Sequence, residues 1–173
     1  AKATKALVAG LRYSGINAQS VPEPGEEELK KGRAYSSSKE CLPLQLTLGT
    51  MLNYLDQRKN KEEVLAYFMP DASGPCRFGQ YSVLLNNVIE DKKIENTAVF
   101  TLSADNSYAG LGKKFIMRIW QAAVTADVLD DIESTILALA KNKESALEQL
   151  KQSEALIFNA LAEEKWSKIK SLL

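Results

Sequence analysis

The sequence predicts an α/β protein: a Rossmann-like three-layer domain with a parallel sheet over residues 1–126, followed by a helical C-terminal extension over residues 127–173. Three observations lead there. The runs INAQSV (16–21), VLAYFM (64–69) and TAVFTL (97–102) are separated by amphipathic segments long enough to serve as parallel crossovers. The latter two runs are apolar almost without interruption, the pattern of strands buried on both faces. The last third has hardly a breaker and repeats its apolar residues at helical spacing. With 173 residues, 45% apolar and 25% charged, the chain has the size and composition to bury a core.

Taken in order, residues 3–14 place Ala6, Leu7, Ala9, Gly10 and Tyr13 on one helical face, and Gly15 supplies a stop. INAQSV reads as a short strand closed by PEPGEE, and a short helix is expected around 26–31. Pro43 suits a helix start, and Leu44, Leu48, Met51, Leu52 and Leu55 form the stripe of a helix running to about residue 57. VLAYFM is a strand ended by Pro70, and the loop DASGPC leads into a helix over about 78–91 with Tyr81, Leu84, Leu85, Val88 and Ile89 inward. After TAVFTL a long helix from about 113 carries Phe115, Ile116, Ile119, Trp120, Ala123, Val124, Ala126 and Val128. Leu129, Ile132, Ile136, Leu139, Leu147, Leu150, Ile157, Phe158 and Leu161 continue the helical pattern, with a break near 141–143. The extension is expected to pack on the sheet or on a neighbouring domain. The order α-β-α-β-α-β-α starts on a helix, so the domain reads as missing its first strand, as in a piece cut from a longer polypeptide.

Charge and cysteine usage narrow the function. The 22 basic and 22 acidic side chains cancel, leaving no net field to attract nucleic acid or an anionic bilayer. No apolar run approaches the ~20 residues of a membrane span, and no signal peptide is visible, so a cytoplasmic protein is expected. Absence of histidine removes the Ser-His-Asp triad, the Cys-His pair and histidine-rich zinc sites from this chain. Acidic clusters such as Asp130-Asp131 and Glu26-Glu27-Glu28 read as solvated surface. The glycines near 110–112 fit neither a Walker loop nor GxGxxG.

In an open parallel sheet, ligands bind beyond the carboxyl ends of the strands. There the segments 33–42, 70–78 and 103–112 should meet, and they hold both cysteines, Cys41 and Cys76, each just before a predicted helix. A helix N-terminus favours thiolate over thiol. Two thiolates with no histidine suit iron–sulfur ligation better than zinc, with further ligands supplied from outside this segment or a non-protein ligand at an open iron. Ser73, Gly74 and Arg77 beside Cys76 could hold an anion, or Arg77 could serve as counter-charge to a thiolate.

The stretches GRAYSSSKECLPLQLTLGTMLNYL, YFMPDASGPCRFGQYSVLLNNVIED and LSADNSYAGLGKKFIMRIWQAAVTADVLDDI together resemble the large acyl-CoA dehydratase activase-related proteins. These are relatives of the 2-hydroxyglutaryl-CoA dehydratase activators and of the benzoyl-CoA reductase and 2-hydroxyacyl-CoA dehydratase subunits. The resemblance covers roughly residues 5–135, and KECLP and SGPCRFGQY are its specific parts. It implies an ATP-dependent system in which low-potential electrons reach iron–sulfur clusters on cysteines of Rossmann-like domains, for dehydration or reduction of a CoA thioester. On that resemblance Cys41 and Cys76 are cluster ligands, and Ser73, Gly74, Arg77, Asn106 and Tyr108 line the surroundings. The chain carries no actin-like ATPase motif and only two cysteines. It is therefore expected to work with other domains or subunits of the same system, a homodimer included, and not as an enzyme alone. A non-catalytic regulatory or assembly domain, and a metal-free CoA- or anion-binding domain, are the alternatives.

Overall fold

Helix dominates the chain: the computed structural model, which describes residues 2–37, 39–103 and 110–163, is 65% helical with two short parallel strands. The elements are α1 (Lys2–Tyr13), α2 (Glu26–Ala34), α3 (Leu42–Gln57), β1 (Leu65–Phe68), a 3-10 turn (Arg77–Gln80), α4 (Tyr81–Asp91), β2 (Thr97–Phe100), α5 (Gly112–Leu139) and α6 (Lys143–Ala162). The expected Rossmann-like three-layer domain is thus corrected. Among the described residues the sheet has two strands, and INAQSV is irregular. Its backbone groups are claimed locally: the Ile16 amide donates to the Leu11 carbonyl at 3.2 Å and Arg12 Nε donates to the Ala18 carbonyl at 2.8 Å. Pro22 and Pro24 then withhold the next ladder donors.

By its contacts the chain divides into two compact units, Ala1–Ser20 with Leu111–Leu173, and Val21–Gly110. The division expected at 126/127 falls inside α5.

Unit Val21–Gly110 holds one β-α-β motif. β1 and β2 pair in parallel with Leu65 opposite Thr97 and Phe68 opposite Phe100, and pairing continues beyond the strands through the Met69 amide to the Phe100 carbonyl at 2.9 Å. One sheet face, with Leu65, Tyr67 and Val99, packs on the core made by Leu48, Met51 and Leu55 of α3 and Leu85, Val88 and Ile89 of α4. Burial on both faces was the expectation for these strands. Instead Ala66 and Ala98 on the opposite face are exposed, beside the half-buried Phe68 and Phe100, whose ring centroids lie 6.0 Å apart.

Within the same unit α2 lies against α3 at backbone contact. A Cβ added at Gly49 would sit 1.7 Å from the Glu28 carbonyl oxygen, and one at Gly32 would sit 1.8 Å from that of Gln45. Glu28 then links both helices. One carboxylate oxygen accepts from the Gly25 amide at 2.7 Å, satisfying a donor at the start of α2, and the other accepts from Asn53 of α3 at 2.8 Å. These bonds hold the Glu28 carboxyl below its ordinary pKa, the Gly25 amide contributing most. Lys31 adds an ion pair with Asp56.

The other unit is a three-helix assembly of α1, α5 and α6 around Ala6, Ala9, Ala122, Ala126, Leu129, Ile157 and Leu161. The alanines let the helix axes approach. Lys2 is buried to 9% exposure and pairs with Asp130, Glu133 and the buried Glu154, so Asp130 is an exposed carboxylate that also has a partner. Asn142 caps α6 by accepting from the Ser145 amide at 3.1 Å, which explains the break after Leu139.

The glycines of α2 and α3 predict an asymmetry. Gly49→Ala forces backbone against backbone and should cost on the order of 1–3 kcal/mol or more. Gly10→Ala meets only the Cδ1 tip of Ile119, at 2.6 Å, which can rotate away, and it gains up to ~1 kcal/mol of helix propensity. Urea unfolding of the two variants should show a large loss for the first and a small change of either sign for the second.

Candidate functional site

Cys41 and Cys76 each occupy the position just before a helical segment, with extended backbone: Cys41 before α3, with Pro43 in its first turn, and Cys76 before the 3-10 turn that runs into α4. Sequence places them there for local reasons. Proline pre-sets the first turn of α3, and Gly79 lets the DASGPC loop fold back, since a Cβ there would lie 2.6 Å from the Ala72 carbonyl oxygen.

The two cysteine loops are tied together. Arg77 Nη1 donates to the Lys39 carbonyl at 3.0 Å, and the Lys92 ammonium sits 3.7 Å from the centroid of the Tyr35 ring, anchoring the loop that leads to Cys41. An open pocket of about 220 Å³ results, lined by Lys39, Glu40, Cys41, Leu44, Arg77 and Gln80, with Leu84 beneath. Cys41 is half-buried and Cys76 exposed, and neither is in a disulfide.

The central contact is between Cys41 Sγ and the Tyr81 hydroxyl, at 2.7 Å. That hydrogen bond is the main reason the Cys41 thiol is held below its ordinary pKa; burial opposes it, while the amides of Leu44 and Cys41 and the Arg77 charge assist. Tyr81 responds in the opposite sense. Burial first, then the Cys41 bond and the negative charge of both Cys41 and Cys76, push its phenol up to about 12. Cys41 thus touches the hydroxyl, while Cys76, 35 positions away in sequence, acts on it only through space and least of these contributions. Glu40 closes the rim: burial would raise its carboxyl, but the Ser37 hydroxyl, donating to Oε1 at 2.9 Å, and nearby amides bring it below the usual range.

Of the residues expected at the site, Cys41 and Arg77 line the pocket, and Cys76 lies beside it within electrostatic reach of Tyr81. Ser73 and Gly74 are exposed on the loop before Cys76 and are not among the pocket-lining residues. Asn106 and Tyr108 lie outside the described residues. Tyr81 and Gly79 belong to the site and were read from sequence as core and as part of a helix, while Glu40 lies in the segment 33–42 expected there without having been singled out. Among the described residues, no three His, Cys, Asp or Glu side chains form a metal-holding group. The described residues thus offer two sulfurs and no complete ligand set.

No family profile, curated protein or solved structure matches this chain. Among the described residues, no helix is long and apolar enough to cross a membrane.

The lowered thiol gives a pH signature. With Cys76→Ser in place so that Cys41 alone reacts, the iodoacetamide rate should titrate with a midpoint below the ordinary thiol value of about 8.5. Because the folded value is depressed, the same group adds stability above the unfolded thiol pKa and loses it as pH falls through the folded one. A midpoint at or above the ordinary value contradicts the assigned electrostatics.

Proposed function

We propose that this chain supplies Cys41 and Cys76 as thiolate ligands to an iron–sulfur cluster completed by another part of the same system, in cytoplasmic, low-potential electron transfer of the 2-hydroxyacyl-CoA dehydratase type. The observation that carries the reading is that the only two cysteines stand on loops joined by Arg77, with Cys41 Sγ 2.7 Å from the Tyr81 hydroxyl. Supporting it are two cysteines just before helical segments, a phenol that can donate to the Cys41 sulfur, and the Arg77 charge that helps lower the Cys41 thiol. When bound, such a cluster accepts and passes on single electrons. The chain's own part is to hold two sulfurs, stabilise their charge and leave an open side for the remaining ligands. Other subunits, a second copy included, would provide those ligands.

Anaerobic reconstitution of the full chain with iron, sulfide and a small thiol to complete the coordination should yield brown protein absorbing near 400 nm. Cys41→Ser and Cys76→Ser should each lose most of the bound iron. A colourless wild-type protein sinks this reading.

A second reading, a metal-free site for a CoA-like anion, draws on a different place. Unit Ala1–Ser20 with Leu111–Leu173 has an open pocket of about 480 Å³ in which Lys5, Arg12 and Lys151 surround an apolar floor that includes Val8 and Phe158. Glu154 also lines this pocket and pairs with Lys5 at 3.6 Å, so Arg12 and Lys151 are the cations that could meet a phosphate carried on an organic group. Calorimetric titration with CoA should then show binding that Lys151→Glu weakens at least fivefold; no heat with either protein removes this reading.

A further inference from the structure

We propose that the outward face of α5 is a self-association surface, through which two copies of this chain pair helix against helix and antiparallel. It lies in the unit Ala1–Ser20 with Leu111–Leu173 and involves neither cysteine, so its failure leaves the ligation reading untouched, and the reverse holds.

Helix α5 buries Phe115, Arg118, Ala122, Thr125, Ala126 and Leu129 on its inner side. At about 3.6 residues per turn, the opposite side carries Lys113, Met117, Trp120, Val124, Asp127 and Asp131, all of them exposed. Successive members of this row are four, three, four, three and four residues apart, the alternation of a seam between two helices. At its centre Met117 is 59% and Trp120 67% exposed, large apolar side chains left open to water. Charge points to what covers them. The row is basic at its start, apolar in the middle and acidic at its end, and among the described residues none of Lys113, Asp127 and Asp131 has an ion-pair partner. In an antiparallel pair of copies, Lys113 of each meets the turn Asp127–Asp131 of the other, and the apolar centres overlap around Trp120. A parallel pair would set lysine against lysine and acid against acid. The face is thus complementary to itself under a two-fold rotation, which is what an isologous contact requires. Lys113 to Asp131 spans about 27 Å of helix at ~1.5 Å per residue. A contact of that length is at the small end of specific interfaces, so association in the micromolar range is expected.

Sedimentation equilibrium of the full chain should show a reversible monomer–dimer system. Lys113→Glu sets acid against acid, and Asp127→Lys combined with Asp131→Lys sets lysine against lysine. Each of these proteins alone should therefore dimerise about tenfold more weakly than wild type. Mixed in equal amounts they should recover dimer, because both contacts between unlike chains then join opposite charges. Trp120→Asp, which puts two carboxylates at the centre of the contact, should stay monomeric. A wild-type chain that is monomeric at every concentration overturns the proposal, and the face then belongs to a different protein or to other residues of this chain. A dimer that survives Trp120→Asp and both charge changes uses another surface and also overturns it, as does a mixture that recovers nothing. Should a charge variant fail to fold by circular dichroism, Trp120→Asp at its exposed position decides: a folded monomer supports the proposal, a wild-type dimer content overturns it.

Discussion

Contact between the backbones of α2 and α3 is the constraint on which the cysteine site depends. Gly32 and Gly49 face each other's helices at a distance that no side chain could share, and Glu28 bridges the same crossing through Gly25 and Asn53. That crossing fixes where α2 ends and where α3 begins, with Cys41 standing at the head of α3. The other side of α3 is occupied by the core that it builds with α4 and one face of the sheet. Helix α3 is thereby clamped between α2 and the β-α-β motif, and its N-terminus is a rigid place to hold a sulfur.

Rigidity on the second loop comes from a different source. Cys76 leaves β1 through seven irregular residues, with no helix crossing to hold it. What restrains the loop is one local contact and one distant in sequence: Gly79 against the Ala72 carbonyl, and Arg77 against the Lys39 carbonyl 38 positions away. An arginine used this way does two jobs, because its charge also lies near Cys41. The consequence is one half-buried sulfur fixed at the head of α3 and one exposed sulfur on a loop.

Helices were the legible part of this sequence, since each apolar stripe with its stop signal survives in the structure within one to three residues for α1, α2, α3 and α4. The sheet was not. INAQSV has strand-like length but alternates into polar residues whose carbonyls find local donors, and no periodicity rule weighs an arginine side chain six residues away. Helix α5 failed to disclose its inner face for another reason: it is apolar on more than one side. Phe115, Ala122, Ala126 and Leu129 are buried, while Ile116, Trp120, Val124 and Val128, equally apolar, are exposed. At the site, the cysteines could be read from their positions before helices, but Tyr81 could not, because an aromatic residue at an inward helical position reads as core. The available signal was its hydroxyl. A tyrosine where phenylalanine would pack as well implies a polar partner.

Why the phenol remains a donor follows from the same electrostatics that lower the Cys41 thiol. Burial disfavours the ionised phenol most, and the Cys41 sulfur at 2.7 Å adds to that, so the phenol stays protonated up to about pH 12. The proton that helps stabilise negative charge on Cys41 is therefore secured in part by that charge. A lysine in this place would bring a full positive charge needing its own desolvation, and a serine at the head of α4 would not reach across the core. A buried phenol spans the distance on an apolar ring and delivers one donor to one sulfur. That is the least polar way to join α4 to the start of α3, and it leaves the pocket itself free for what enters from solvent.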